Sequence, residues 1–175
     1  MRLTTIYGGL IEAVAENAAS DAARAAEVPS RIVLIMVPTK ACPVVLQGSK
    51  LLVFRHPSAG IQLVKGTIEP GEGPAAAALR ELREESGIAD AAICEDLGLW
   101  DADYEGQIWS LQLCTVSQAL PESWQHRSGD DGGLDLRFFW HEINAEPSEE
   151  WHLLFQRALE QIRRRSGRRN RRLFR

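Results

Sequence analysis

Residues 66–88 read GTIEPGEGPAAAALRELREESGI, and the way this run divides sets the local structure around it. Its first part holds Gly66, Pro70, Gly71, Gly73 and Pro74, a density of turn formers that suits a structured loop. Pro74 fits a first helical position, where a missing N–H costs nothing, and Gly87 fits the left-handed position just past a helix end. The residues between them are predicted to form one helix. At about 100° of rotation per residue, Ala75, Ala78, Leu79 and Leu82 share an arc that can pack on a sheet, and the alanines permit close approach. Glu81, Glu84 and Glu85, at spacing i, i+3 and i+4, share a neighbouring arc.

Like charges so placed cost a helix a few tenths of a kcal/mol per pair, so something should compensate. Hard divalent cations take oxygen ligands, and Mg²⁺ commonly combines a few carboxylates with water and phosphate oxygens. A Mg²⁺ or Mn²⁺ site is one reading of the three glutamates. A solvated acidic face relieved by Arg80 and Arg83 is the other, and the helix alone does not choose between them.

The complete spacing does choose. Gly66, five residues, Glu72, seven residues, then Arg80-Glu81-Leu82-x-Glu84-Glu85-x-Gly87-Ile88 resembles the Nudix box of the Nudix hydrolases at all nine defined positions. The resemblance implies an α/β/α sandwich with a mixed sheet over about 31–167, and hydrolysis of a diphosphate linkage in a nucleotide-like small molecule. It implies Glu81, Glu84 and Glu85 as ligands of Mg²⁺, with Mn²⁺ as the alternative ion, and the Gly66 carbonyl as a further ligand. Glu72 and Arg80 are implied as the pair that fixes the loop on the helix. The general base stays open among Glu84, Glu85, Glu122, His126, Asp130 and Asp131.

Substrate signals are sparser. Lys65, one of three lysines, precedes the box in Val64-Lys65-Gly66, a partial likeness to the Pro-Lys-Gly of family members acting on dinucleoside polyphosphates or inositol pyrophosphates. Tyr104 lies sixteen residues beyond Ile88, near the base-stacking Tyr of the family's dinucleoside polyphosphate hydrolases. Phe54 and Trp124 are further stacking candidates, and His56, before Pro57, either touches phosphate or ends a strand. Together they favour dinucleoside polyphosphates slightly over ADP-ribose or a nucleoside triphosphate. The rival from another class is a non-catalytic Nudix-fold module that binds a nucleotide or RNA.

Outward from the box, 10–26 carries apolar residues at helical spacing and is stopped by Pro29, so 1–30 reads as an N-terminal helical extension able to dock on its own domain or on a partner subunit. The runs 31–37, 42–47 and 51–56 read as strands with a short apolar run at 61–65, and further strands are expected near 93–99, 107–116 and 134–143. The polar stretch 118–133 is long for a connection and reads as a lid or substrate loop. Ser148 can cap a last helix with Trp151, Leu154, Phe155, Ala158, Leu159 and Ile162 on one face, ending before Gly167.

The whole chain of 175 residues, 45% apolar and 25% charged, suits one domain. No apolar run approaches the roughly 18 residues that span a bilayer, and Cys42, Cys94 and Cys114 show no zinc or disulfide spacing, so a cytoplasmic protein is expected. Net charge is −4, but the last fourteen residues carry eight Arg and no acid, leaving −12 elsewhere. An acidic body repels polyphosphate unless a divalent ion screens the site. The tail, 168–175 beyond Gly167, reads as a solubilising terminus, with RNA contact as the alternative.

Overall fold

Alternation along two adjacent strands builds the core. In β1 (Lys40–Gln47) and β2 (Lys50–His56), Cys42, Val44, Leu51 and Val53 join one buried cluster, while Val45, Leu52 and Phe54 join another on the opposite face. Strands buried on both faces need a cover on each. In this computed structural model, which describes residues 36–129 and 133–172 and only the backbone of 168–172, the covers are α1 (Pro74–Ser86) and α2 (Leu153–Arg172).

The sheet continues with β3 (Gly60–Gln62), β4 (Gly66–Thr67), β5 (Ala91–Asp101), β6 (Ile108–Val116), β7 (Ser123–Arg127) and β8 (Asp135–Glu142). Its order is β5-β6-β1-β2-β8-β7, with β3 beside β2 and β4 beside β1. Among the strands of the described residues β1 and β6 pair in parallel and the other pairs are antiparallel, so the sheet is mixed, as expected of the sandwich. The described residues from Pro38 onward make one compact unit. No described helix is long and apolar enough to cross a membrane.

On one face α2 lays Leu154, Phe155, Ala158, Leu159 and Ile162 against Trp109, Leu111, Val44 and Val53. Each such large apolar side chain, fully buried, contributes about 1.5–3 kcal/mol. Three arginines of α2 do more than solvate it. Arg157 donates to the Ala102 carbonyl at 2.5 Å, Arg163 to those of Ile143 and Ala145, and Arg165 to Leu97 and Leu99 at 2.8 and 2.7 Å. These bonds satisfy carbonyls just beyond β5 and β8 and, at Leu97, one at a bulge of β5. On the other face Ala77 and Ala78 bring α1 down onto Ala41 of β1. Their small size sets the helix close to the strand that carries Lys40.

Four expectations change. The stretch 118–133 is not one long loop: Ser123–Arg127 form β7, an edge strand paired with β8, whose Trp124 and His126 face inward while Ser123, Gln125 and Arg127 face out. Ser148 does not cap α2. His152 does, its Nδ1 accepting the Leu154 N–H at 3.3 Å. Gly167 does not end α2, which runs to Arg172; a glycine costs about 1 kcal/mol inside a helix and does not by itself stop one. Met36 and Val37 lie outside any strand. The rest of the 31–37 run and the expected helix within 1–30 lie outside the described residues.

Candidate active site

The box folds as its punctuation dictates. Gly71 turns the loop at φ +82°, Gly73 and Pro74 open α1, and Gly87 at φ +79° closes it, donating its N–H to the Arg83 carbonyl at 3.0 Å. Arg80 then organises the loop with all five of its donors. Nε and Nη2 grip the Glu72 carboxylate at 3.0 and 2.9 Å, Nη2 also donates to the Thr67 carbonyl at 2.9 Å, and Nη1 donates to Glu81 at 2.7 Å and Glu84 at 3.0 Å. Glu72 in turn accepts the Glu69 N–H at 3.1 Å. The Arg80 hydrogen bonds, helped by that N–H, hold the Glu72 carboxyl below the usual carboxylate range, and the same bonds push the guanidinium up. A lysine has neither the planar fork nor the donors to reproduce this.

Gly66 is where the loop and helix nearly touch. An added Cβ there would lie 1.7 Å from the Glu81 carboxyl carbon, so only glycine lets this buried carboxylate, 5% exposed, rest against the strand backbone. Glu81, Glu84, Glu85 and Gly66 line one wall of an open cavity of about 660 Å³. Lys40, Lys65 and Arg80 add cations to it, and Phe54, Leu63, Leu134 and Leu136 give it an apolar floor.

Lys65 is half-buried with its ammonium 5.6 Å from the centre of the Trp109 ring. Burial, then the neighbouring Lys40 charge, lowers its pKa, and Glu85, Cys42 and Glu81 oppose that shift. Lys40, which the sequence does not single out, is oriented by its bond to the Thr67 hydroxyl at 2.7 Å.

Among the described residues, no three His, Cys, Asp or Glu side chains stand close enough together to hold an ion as they are. The donors nonetheless fit a hard cation. All are oxygens, and a single cationic nitrogen, Arg80 Nη1, already sits within hydrogen-bond reach of both Glu81 and Glu84. The cradle at Gly66 keeps the buried Glu81 carboxylate facing the strand, and Glu85 lines the same wall.

Other expected residues fall elsewhere. Trp124 stacks on Phe138 at 5.1 Å between ring centres and donates its indole N–H to the Ser86 carbonyl at 2.9 Å, outside the cavity lining. His126 Nε2 donates to the Glu84 carbonyl at 3.1 Å, and its ring occupies the space that a side chain at Gly87 would need. Both thus hold the last carbonyls of α1, which no helical N–H can reach. Tyr104 is exposed in the β5–β6 turn, beside Asp103 and Glu105 at positive φ, and does not line the cavity. Glu122 is exposed and pairs with Lys50 at 3.6 Å, away from the cavity. Asp130 and Asp131 lie outside the described residues. Phe54 does line the floor, packed on Phe138 at 5.4 Å. Ser128, buried and lining the cavity, carried no sequence signal.

Comparison with known proteins agrees with this architecture. The Nudix domain family matches residues 29–151. No curated protein matches the sequence. Similar solved structures include an ADP-ribose pyrophosphatase from Streptococcus suis 89-1591 (14% identity, TM-score 0.56, covering 72% of this chain and 87% of that one). A UDP-X diphosphatase is similar at 19% identity and TM-score 0.53, over 78% of this chain and 66% of that one. A MutT Nudix hydrolase from Burkholderia pseudomallei is similar at 20% identity and TM-score 0.52, over 73% and 99%. At such identities the structural likeness establishes the fold, and the sequence match over most of the chain establishes the family. The chain belongs to the Nudix domain family.

Proposed function

We propose that this chain is a Mg²⁺-dependent pyrophosphohydrolase that cleaves the diphosphate linkage of a nucleoside diphosphate joined to another moiety. Dinucleoside polyphosphates are slightly preferred over ADP-ribose or a nucleoside triphosphate. The observation that carries the reading is that one cavity brings Glu81, Glu84 and Glu85 together with Lys40 and Lys65. Carboxylates suit a divalent cation, and the ammonium groups suit the phosphoryl oxygens such a cation leaves unmet.

In this reading Glu81, Glu84, Glu85 and the Gly66 carbonyl hold Mg²⁺, with Mn²⁺ able to replace it. A divalent cation, when bound, supplies Lewis acidity toward the phosphoryl oxygens. Arg80, clamped by Glu72, fixes the Glu81 and Glu84 carboxylates at 2.7 and 3.0 Å. Lys65 and Lys40 take the charge of the phosphates. Water attacks phosphorus, its oxygen forming the new P–O bond as the anhydride P–O bond breaks, and its proton passes to Glu84 or Glu85. Glu84 is favoured as the acceptor because its side chain, 42% exposed, reaches the open cavity.

The test is metal-dependent release of phosphate or nucleotide across dinucleoside polyphosphates, ADP-ribose, NADH, nucleoside triphosphates and 5′-triphosphorylated RNA, with Glu84→Gln as the control. One substrate class cleaved well ahead of the others, with turnover nearly abolished by Glu84→Gln, is the expected result. Micromolar nucleotide binding with no turnover of any substrate would instead identify a binding module.

A further inference from the structure

The cavity lining includes a second polar pair, carried not by α1 but by the ends of β2 and β3. His56 ends β2, and its Nδ1 accepts the backbone N–H groups of Ser58 and Ala59, both at 3.1 Å. An acceptor of two N–H bonds carries no hydrogen, so the ring hydrogen is on Nε2, which among the described residues has no protein partner. Gln62 of β3 donates its side-chain N–H to the Ala59 carbonyl at 3.2 Å. That bond fixes the amide orientation and leaves Oε1 as an acceptor. Register pairs Phe54 with Gln62 and His56 with Gly60, so both side chains rise on the Phe54 face, and both line the cavity.

The turn itself is held from behind. Arg55 grips the Glu150 carboxylate at 2.5 and 2.8 Å, and the Ile61 N–H donates to the Glu150 carbonyl at 2.9 Å. Gly60, at φ +77°, is pressed so near that carbonyl that a Cβ would sit 2.1 Å from it. The donor on His56 and the acceptor on Gln62 are thus set before any ligand arrives, beside an apolar floor that includes Phe54 and Leu136.

We infer that His56 and Gln62 read the base edge of the nucleotide substrate, His56 Nε2–H donating to a ring or exocyclic acceptor and Gln62 Oε1 accepting from the neighbouring N–H. This rests on the nucleotide substrate proposed above. A phosphate offers acceptors only and would meet the Gln62 oxygen as a repulsion. Nucleobase edges carry an acceptor beside a donor, and a flat base suits the Phe54 floor. A ribose hydroxyl, which both donates and accepts, is the competing partner.

The experiment is calorimetric titration of the full chain, in Mg²⁺, with the uncleavable α,β-methylene analogues of ADP, GDP, UDP and CDP. Ribose 5-methylenediphosphonate, which keeps the sugar and lacks the base, is the reference ligand. The wild type should bind at least one nucleoside analogue about tenfold or more tighter than the reference. His56→Asn keeps an acceptor where Nδ1 holds the turn but is too short to donate into the cavity, and it should erase most of that ratio. Gln62→Leu should do the same. His56→Gln, whose amide N–H reaches the place of Nε2, should keep the ratio within about threefold. Equal affinity of the wild type for reference and nucleosides would overturn the inference and point to the sugar or phosphates. So would a ratio that survives His56→Asn and Gln62→Leu, or equal losses in His56→Asn and His56→Gln. Because binding is read without turnover, absence of hydrolysis would sink the proposed reaction while leaving base reading to be decided by these ratios.

Discussion

Gly66→Ala is the smallest change that should disable the site while sparing the fold. The backbone at Gly66 is not in the left-handed region, so alanine meets no conformational strain there. The effect is therefore steric. The new Cβ would lie 1.7, 1.8 and 2.1 Å from the carboxyl carbon and the two oxygens of Glu81, where ordinary contacts are about 3.4–4 Å. The carboxylate must retreat by roughly 1.5 Å, well beyond the ±0.2 Å that ligand distances tolerate, and a misplacement of about 1 Å in a catalytic constellation costs about 100-fold. Crowding a packed region costs about 1–3 kcal/mol, which a domain of this size can absorb. Steady-state kinetics on the best substrate, with urea unfolding as the companion measurement, should show a loss of about 100-fold or more in kcat in a protein that still unfolds cooperatively. Turnover within about threefold of wild type would refute the reasoning, since it would mean that the position of Glu81 does not matter to the chemistry.

Other perturbations separate the parts. Arg80→Lys keeps a charge but loses the fork on Glu72 and the shared bonds to Glu81 and Glu84, so kcat should fall about tenfold or more, checked by the same kinetics. Trp124→Phe keeps the ring on Phe138 but strands the Ser86 carbonyl, and should cost about 1 kcal/mol in urea unfolding with substrate KM unchanged. Because Arg80 depresses the Glu72 pKa in the folded state, that stability is complete above the ordinary carboxylate pKa of 4.5 and is lost as pH falls through the lower folded value. In Arg80→Met the acid limb of stability between about pH 5 and pH 2 should flatten, as read by thermal melts across that window.

What was legible in the sequence follows from how local each signal is. The loop and α1 carry their own punctuation, Gly71, Gly73, Pro74 and Gly87, and the backbone obeys it. The central strands β1 and β2 show because residues such as Val44 and Val53 are buried in unbroken apolar runs. β7 was missed because an edge strand buries one face only: Ser123-Trp124-Gln125-His126-Arg127 alternates, but two inward residues among polar neighbours read as loop. α2 was displaced because a histidine cap leaves a weaker mark than a serine, and Ser148 stood four residues upstream of His152. The cavity was half legible. Its glutamates share one helix face, whereas Lys40, Ser128 and Gln62 reach it from β1, the β7–β8 connection and β3, and only the sheet order brings them together. Trp124 and His126 drew attention as polar-tipped rings in a polar stretch, but their N–H groups serve the end of α1.

The central claim is that the glutamate wall is a divalent-cation site at which a diphosphate is cleaved. Titrating Mg²⁺ and then Mn²⁺ into metal-stripped wild type, Glu81→Gln, Glu84→Gln and Glu85→Gln, while following hydrolysis of the best substrate, tests it directly. No turnover is expected without added cation, with saturable activation of the wild type and, in each variant, a higher half-activating concentration or near-complete loss. Full turnover in excess chelator, or wild-type activation curves in all three variants, would contradict it.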